Sequence, residues 1–213
     1  MQLESTWVAR QRGEKQSTCE ALTELAHERH VGVLVVGSYG RKGEKIDMLG
    51  TVSDHSLREY NGHVCIVKST SFSPSDSTRW LFATDNSLAA QTAFAVLMYQ
   101  FCKPEDIVDV VYATSGDEPA GIMKPYEQLL KERKVRGRCS CIKVPPGETI
   151  SSAILNEGKR TEVDVLVVGI CGYGKQKLGS VSEECCRTST CTTLVVKDPY
   201  EVQEKRGLLG AYQ

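Results

Sequence analysis

Two glycine-rich segments of this sequence, 37–53 and 169–182, have the residue types that can hold a phosphate group. Their glycines let backbone N–H groups approach an anion, and the helix that each segment begins adds the positive end of its dipole. A hydroxyl at the helix start, Thr51 or Ser180, can donate a further hydrogen bond. A tight turn into a helix explains the same glycines equally well, so spacing alone leaves both interpretations open.

The familiar phosphate and nucleophile motifs do not fit these segments. The spacing from Gly174 to Gly179 approaches that of a P-loop, but Ser180 and Val181 stand where the P-loop has Lys and Ser or Thr. The sequence contains neither G-x-G-x-x-G nor G-x-S-x-G. No set of residues suits nucleophilic or general-base catalysis, so we expect a protein that is not an enzyme.

Both segments belong to a domain-sized internal repeat. Residues 31–68 align with 163–197 once three residues are removed from the first copy, and the two copies begin about 130 residues apart. In each copy a Val-rich run predicts a buried strand of a parallel sheet, followed by the glycine-rich loop, a short helix and a second strand. The repeat therefore predicts that both loops are positioned by the same strand–helix–strand unit.

The elements around the repeat alternate between strand and helix. A capping box at Ser17–Glu20 begins a helix before the first copy, and residues 148–157 predict its counterpart, which Gly158 ends. Between the copies, strands at 80–84, 107–113 and 139–144 alternate with helices at 86–101 and 126–134, which predicts an open parallel α/β sheet. Only an edge strand at Ser5–Ala9 precedes the first helix, so the first copy lacks the front part of the unit.

The composition narrows the class of protein. The 213 residues are 40% hydrophobic and 25% charged, which is typical of a globular chain and excludes disordered and collagen-like classes. A net charge of −1 predicts no nucleic-acid partner. The absence of a long apolar run predicts no membrane span, and the absence of a secretory signal favours the cytoplasm. We expect the nine Cys to be reduced thiols in place of small apolar residues, with no metal site.

Two motifs resemble the universal stress protein family. The spacing Gly37-x₂-Gly40-x₉-Gly50-Thr51 is similar to that family's nucleotide loop, G-x₂-G-x₉-G-(S/T). Residues 80–87 resemble its first strand, which ends in an Asp followed two residues later by Ser. The resemblance covers about residues 8–197. It implies an open parallel five-stranded sheet with helices on both faces, as one full unit and one partial unit.

The resemblance also implies domain boundaries and a ligand. The partial unit is expected at 1–70, a linker at 71–78, the full unit at 79–198 and a tail at 199–213. In one subgroup the family binds ATP or AMP, with Mg²⁺ as a further candidate, in a stress-response role with little or no turnover; slow ATP hydrolysis stays open. The residues implied to hold the nucleotide are Ala83, Asp85, Ala113, Val168, Gly169, Gly172, Gly179, Ser180, Val181 and Ser182 in the second unit and Gly37, Gly40, Gly50, Thr51, Val52 and Ser53 in the first.

Two departures from the family pattern keep an alternative open. Six residues separate Gly172 from Gly179, not nine, and the first unit lacks the strand that ends in Asp. A dimerisation or interaction module of the same fold that binds no nucleotide is therefore the alternative. Family members associate through the last strand of the unit, which implies self-association through residues 64–67 and 194–196, either as a pseudo-dimer within one chain or as a homodimer.

Overall fold

The computed structural model describes residues 4–38, 48–68, 77–171 and 179–198. The helices and strands alternate along most of the chain, because each apolar strand is followed by a segment with a capping residue and one apolar face. In order they are α1 (Thr18–Glu28), β1 (Val33–Gly37), α2 (Thr51–Glu59), β2 (His63–Val67), β3 (Arg79–Thr84), α3 (Leu88–Val96) with a π-helical turn (Leu97–Phe101), β4 (Ile107–Thr114), α4 (Lys124–Arg133), β5 (Cys139–Lys143), α5 (Ile150–Arg160), β6 (Val165–Cys171), α6 (Ser180–Thr188) and β7 (Thr192–Asp198).

The strands form one seven-stranded sheet in the order β1-β2-β7-β6-β3-β4-β5. The expectation of a five-stranded sheet is therefore wrong, although the α/β class and the predominance of parallel pairs are confirmed. The extra strands arise because β2 pairs antiparallel with β7, with Cys65 opposite Leu194. Two short apolar strands that would otherwise be sheet edges satisfy each other's backbone groups in this way.

This antiparallel pair reverses the direction of two strands. β1 and β2 run opposite to the other five, because β2 is parallel to β1 and antiparallel to β7. The carboxyl ends of β1 and β2 consequently lie at the end of the sheet where the other strands begin. The described residues that flank the two glycine-rich segments, Gly37 and Gly50 for the first and Gly169 and Gly179 for the second, are thus at opposite ends of the sheet.

Helices cover both faces of the sheet and enclose two apolar cores. The first face carries α1, α2, α5 and α6, which pack on alternate strand residues such as Leu34, Ile66 and Leu166. The second face carries α3, its π-helical turn and α4, which enclose Phe82 and Val167. The alternation of side chains along each strand produces these two layers.

Three details differ from the sequence-based expectations. Residues 5–9 form no strand; instead, Arg10 forms an ion pair with Glu28 of α1. Gly158 does not end α5, which continues to Arg160, because tertiary packing tolerates a helical glycine at this position. The helix predicted at 86–101 is present, but its last turn is π-helical.

Candidate functional site

The carboxyl ends of β3, β4 and β6 lie side by side at one end of the sheet. In open parallel sheets, ligands bind beyond this end, where loops and helix N-termini converge. The segment after β3 contains Asp85, β4 ends next to Ala113, and α6 begins directly after Gly179. The structure therefore brings the described members of the set predicted from the second copy to one end of the sheet.

Asp85 lies in a short turn between β3 and α3. Its Oδ1 accepts a hydrogen bond from the Ser87 N–H at 2.9 Å, and the Ser87 hydroxyl accepts one from the Ala90 N–H at 3.2 Å. Ser87 is thus the N-cap of α3, so the helix begins after it and not at residue 86. The Asp85 side chain is exposed, and within the described residues its Oδ2 has no hydrogen-bond donor. One carboxylate oxygen is therefore available to a ligand.

A buried hydrogen-bond network supports this turn. The Tyr126 hydroxyl lies 2.6 Å from Thr84 Oγ1, which also accepts the Asn86 N–H at 2.9 Å. Gln91 donates through Nε2 to the Asn86 carbonyl at 3.1 Å. Asn86 has a φ of 59°, a left-handed conformation that Asn tolerates better than most residues. The network holds the backbone on both sides of Asp85.

The sequence analysis did not find this network. Burial raises the pKa of Tyr126 to about 12, so the phenol keeps its proton and remains able to donate near neutral pH. Tyr126 is far from Thr84 along the chain, and only the packing of α4 against the sheet brings them together. Asn86 was the one signal available, because Asn directly after Asp at a strand end is typical of a turn.

Ala83, Ala113 and Val168 are core residues on the first face of the sheet. Their exposed fractions are 9%, 8% and 3%, respectively. The backbone of Ala83 pairs with both β4 and β6, as expected for a central strand. Their side chains therefore shape the floor below the site rather than its surface.

Gly169 has a packing role that the sequence analysis did not anticipate. A Cβ placed on Gly169 would lie 2.8 Å from the Ala93 Cβ and 3.3 Å from the Ala90 Cα. Helix α3 can cross β6 this closely only because Gly169 has no side chain. The requirement for glycine at this position is thus explained by packing, independently of any ligand.

The helices after the glycine-rich segments begin without a side-chain cap. Ser17, Ser87 and Thr149 cap α1, α3 and α5 through their side-chain oxygens, whereas Gly50 and Gly179 begin α2 and α6 without such a bond. The Thr51 and Ser180 side chains occupy the first helical position rather than the N-cap. The first-turn N–H groups of α6, from Ser180, Val181 and Ser182, therefore lack intrahelical partners and suit an anion.

The residues predicted from the first copy lie elsewhere. Gly37, Gly50 and Thr51–Ser53 are at the opposite end of the sheet, and β1 is four strand spacings, roughly 19 Å, from β3. The Ser53 hydroxyl is buried and donates to the Gly37 carbonyl at 2.7 Å, and the Gly50 N–H donates to Ser38 at 2.9 Å. No described strand stands where β3 stands in the second unit. The two sets of residues therefore cannot hold one ligand together.

Gly40 and Gly172 lie outside the described residues, as do most of the two glycine-rich loops. In the ranges that are described, no cluster of three or more His, Cys, Asp or Glu side chains has the arrangement of a metal site. No helix there has the length and apolar character needed to span a membrane. The described cysteines whose state is assigned are free thiols, and burial raises the pKa of Cys102, Cys139 and Cys185 to about 12, which keeps these thiols protonated.

Comparison with known proteins yields structural likenesses only. No model of a protein family and no curated protein matches the sequence. A universal stress protein from Archaeoglobus fulgidus DSM 4304 superposes with a TM-score of 0.70 at 22% identity, over 84% of this chain and 66% of that one. The chain thus corresponds to just under two thirds of that protein's length.

Two further solved structures are similar. A functionally unknown protein from Pseudomonas aeruginosa PAO1 has a TM-score of 0.61 at 13% identity, covering 86% of this chain and 69% of that one. A universal stress protein family protein from Arabidopsis thaliana, with AMP bound, has a TM-score of 0.48 at 16% identity, over 58% of this chain and 94% of that one. On the strength of the Archaeoglobus structure, the described part of this chain has the fold of the universal stress proteins.

Proposed function

We propose that this chain is an adenine-nucleotide-binding protein of the universal stress protein type, with one site at the carboxyl ends of β3, β4 and β6. ATP or AMP is the proposed ligand, and the role is binding in a stress response with little or no turnover. The observation that carries the proposal is the rigid turn at Asp85, which lies at the same end of the sheet as the uncapped N-terminus of α6.

The two halves of the site suit the two halves of a nucleotide. An adenine base has N–H groups that can donate hydrogen bonds to a carboxylate. Oδ2 of Asp85 is available to accept one of these bonds. The N–H groups of Ser180, Val181 and Ser182 suit a ribose hydroxyl or a phosphate, and the helix dipole favours negative charge there. Mg²⁺, if it accompanies the ligand, would be held mainly by the phosphates, since the described residues contain no carboxylate cluster there.

We expect binding without turnover because the described residues of the proposed site include no cationic side chain and no carboxylate other than Asp85. Phosphoryl transfer depends on cations that stabilise the transferred group and on a residue that orients the attacking water. The Asp85 carboxylate belongs to the base side of the proposed site, away from the phosphates. Slow hydrolysis stays compatible with the proposal, because a bound nucleotide can react with water without a dedicated base.

The test is mass spectrometry of small molecules released by denaturing freshly purified protein. We expect ATP, ADP or AMP in a nearly one-to-one ratio to the chain. Asp85→Ala should reduce the bound nucleotide at least tenfold, because a hydrogen bond to a charged group contributes about 1.5–3 kcal/mol. Gly179→Val should have a similar effect, because a Cβ at this position meets no protein atom within 4 Å and the added side chain would occupy the open space beside the first-turn N–H groups of α6, where the phosphate is proposed to bind.

Gly50→Val is the matched control, because Gly50 begins α2 as Gly179 begins α6 but lies at the other end of the sheet. It should leave the nucleotide content unchanged. Loss of nucleotide with Gly50→Val alone would move the site to the first unit. No released nucleotide, together with no thermal shift in millimolar Mg-ATP, would contradict the proposal and favour the interaction module, for which the exposure of β1 is the specific observation.

A further inference from the structure

Strand β1 has an unprotected edge. It stands at the end of the sheet order and pairs with β2 on one side, while no described strand pairs with its outer side. Its residues are Val-Leu-Val-Val-Gly, without the charge, proline or bulge by which natural proteins usually protect an edge strand. Apolar residues on both faces are typical of a strand in the interior of a parallel sheet. The sequence of β1 is thus that of a paired strand.

The second face of β1 is also largely uncovered. Val33 packs at the margin of the second-face core, but Val35 is 60% exposed. Within the described residues, the π-helical turn packs on the neighbouring strand, where the Phe101 and His63 rings meet edge-on with their centroids 5.9 Å apart. An apolar sheet face and an open sheet edge therefore coincide at one strand.

The second copy of the repeat contains the same surface with its occupant in place. Strand β6 begins with the identical pentapeptide, and its corresponding edge is taken by β3 in parallel register, with Trp80 opposite Val165 and Ala83 opposite Val168. Val167, which corresponds to Val35, is 0% exposed. The occupant of this surface in the second copy is therefore a parallel strand followed by a helix.

The helix that follows β3 has a specific character where it crosses β6. Three alanines, Ala89, Ala90 and Ala93, supply the atoms within 3.4 Å of a Cβ placed on Gly169. Gly37 is the corresponding residue at the end of β1, and it is exposed. A helix that covers β1 in the same way needs small residues at the same positions.

We infer that the outer edge and second face of β1 bind a strand–helix unit of a partner polypeptide with the chemistry of residues 79–96. The partner strand would run parallel to β1 and continue the hydrogen-bond ladder that already joins β7, β2 and β1. Its helix would place alanine-sized side chains over Val35 and Gly37. This surface is on the edge strand β1, four strands away from β3 in the sheet. The inference therefore does not depend on the proposed nucleotide site.

A second copy of this chain is a poorer occupant than a separate partner. Its own β3 and α3 are already buried in its core, since Leu81, Phe82 and Ala93 are all 0% exposed, so they cannot also pack on another molecule. It could offer its β1 edge, but the described helix that follows β1, α2, packs on the first face of the sheet and leaves Val35 uncovered. A partner with a strand–helix unit that is not already packed in its own core can pair with the edge of β1 through the strand and cover Val35 with the helix.

The test uses the full chain and a synthetic peptide of residues 77–103 as the partner probe. The readout is backbone amide exchange of residues 33–37, followed by NMR during a peptide titration. We expect the peptide to slow exchange of the outward-facing amides at least tenfold. Val35→Lys should weaken binding at least tenfold, because it places a charge under the docked helix.

Val8→Lys is the matched control, because Val8 is another exposed valine, 42% accessible, outside this surface. It should bind the peptide like the unchanged chain. A peptide carrying Ala93→Leu should bind more weakly than the unchanged peptide, because the larger side chain would meet Gly37.

Three results would overturn the inference. The first is unchanged exchange of residues 33–37 at millimolar peptide, with the peptide shown to be monomeric by sedimentation. The second is equal binding by the Val35→Lys variant. The third is a homodimer in analytical ultracentrifugation that Val35→Lys dissociates and the peptide does not, which would assign the surface to a second copy.

Discussion

One pentapeptide, Val-Leu-Val-Val-Gly, occurs in β1 and again in β6, and its two occurrences have very different surroundings. In both strands the second and fourth residues pack on the first face of the sheet. On the second face, however, Val167 is 0% exposed and Val35 is 60% exposed. The identical sequences form the same element with the same alternation, so the difference comes from β3 and α3, which cover β6 alone.

The two copies are also joined in a reciprocal way. Lys197, at the end of β7, donates to the Leu57 carbonyl at 2.7 Å and to the Tyr60 carbonyl, at the end of α2. Lys68, the corresponding residue after β2, donates to the Arg187 carbonyl at 2.7 Å, in the last turn of α6. Each lysine thus binds the carboxyl end of the other copy's helix, where the dipole favours a positive charge. Lys197 is buried, whereas Lys68 is only partly so.

The largest expected difference concerns the two corresponding valines. Val167→Asp places an unpaired carboxylate in the second-face core and should lower the free energy of unfolding by more than about 4 kcal/mol, whereas Val35→Asp should change it by about 0.5 kcal/mol or less. Urea unfolding followed by circular dichroism measures both variants. Equal destabilisation would mean that β1 is covered in solution in the same way as β6.

The two corresponding glycines should differ by a smaller amount. Gly169→Ala forces the new Cβ against Ala93 and should cost about 1–3 kcal/mol, while Gly37→Ala should cost about 0.5 kcal/mol or less. Adding Ala93→Gly to Gly169→Ala should recover part of the loss, and a double-mutant cycle measures this coupling. Strict additivity of the two substitutions would contradict the close crossing of α3 over β6.

Substitution of Lys197 should destabilise the fold more than substitution of Lys68, as for the corresponding valines and glycines. Lys197→Met leaves two buried carbonyls without their donor and should cost about 1–3 kcal/mol, and Lys68→Met, at a more accessible position, should cost about 1 kcal/mol or less. Thermal and urea unfolding of both variants measure the costs. A larger effect at Lys68 would show that the α6 side of the junction is the more strongly coupled one.

The last test concerns the pH dependence of stability that Lys197 produces. Burial lowers its pKa from 10.5 to about 8, although the charge of Glu59 acts in the opposite direction. Between about pH 8 and pH 10.5 the unfolded chain therefore holds a proton that the folded chain has lost, so this group raises the free energy of unfolding as pH rises.

Lys197→Met removes this titration and isolates it from other groups. The stability advantage of the unchanged chain over the variant should therefore grow between pH 7.5 and pH 9.5, as measured by urea unfolding at each pH. An advantage that is constant or shrinks over that interval would contradict a lowered pKa at this position.

Much of the fold can be predicted from local sequence, because the relevant forces act within a few residues. The capping box at Ser17 and Glu20 forms, with both hydrogen bonds present, and both Val-rich runs form strands. The prediction of a buried strand is confirmed for β6 but is wrong for one face of β1, where Val35 is exposed. The Asp85–Ser87 turn also follows from residues that contact each other directly. The predicted strand at residues 5–9 is absent because a strand requires a partner distant in sequence; Arg10, directly after this segment, forms an ion pair with Glu28 of α1 instead.

The candidate site could be predicted only in part. Asp85 and the start of α6 are visible in the sequence, but the buried hydroxyl of Tyr126 depends on how α4 packs. The packing role of Gly169 likewise depends on the path of α3. The separation of the two glycine-rich segments depends on the pairing of β2 with β7, and nothing local to either segment encodes it.

The sequence by itself determined which residues form strands and helices, that a unit is repeated, and that the sheet belongs to the α/β class, because periodicity, capping and turn residues are local properties. Only the tertiary structure decided that the two copies share one seven-stranded sheet, that Gly37 and Gly169 lie toward opposite ends of it, and that Val167 is buried while Val35 is exposed. Strand pairing and burial are decided by partners distant in sequence, so identical pentapeptides acquired different environments.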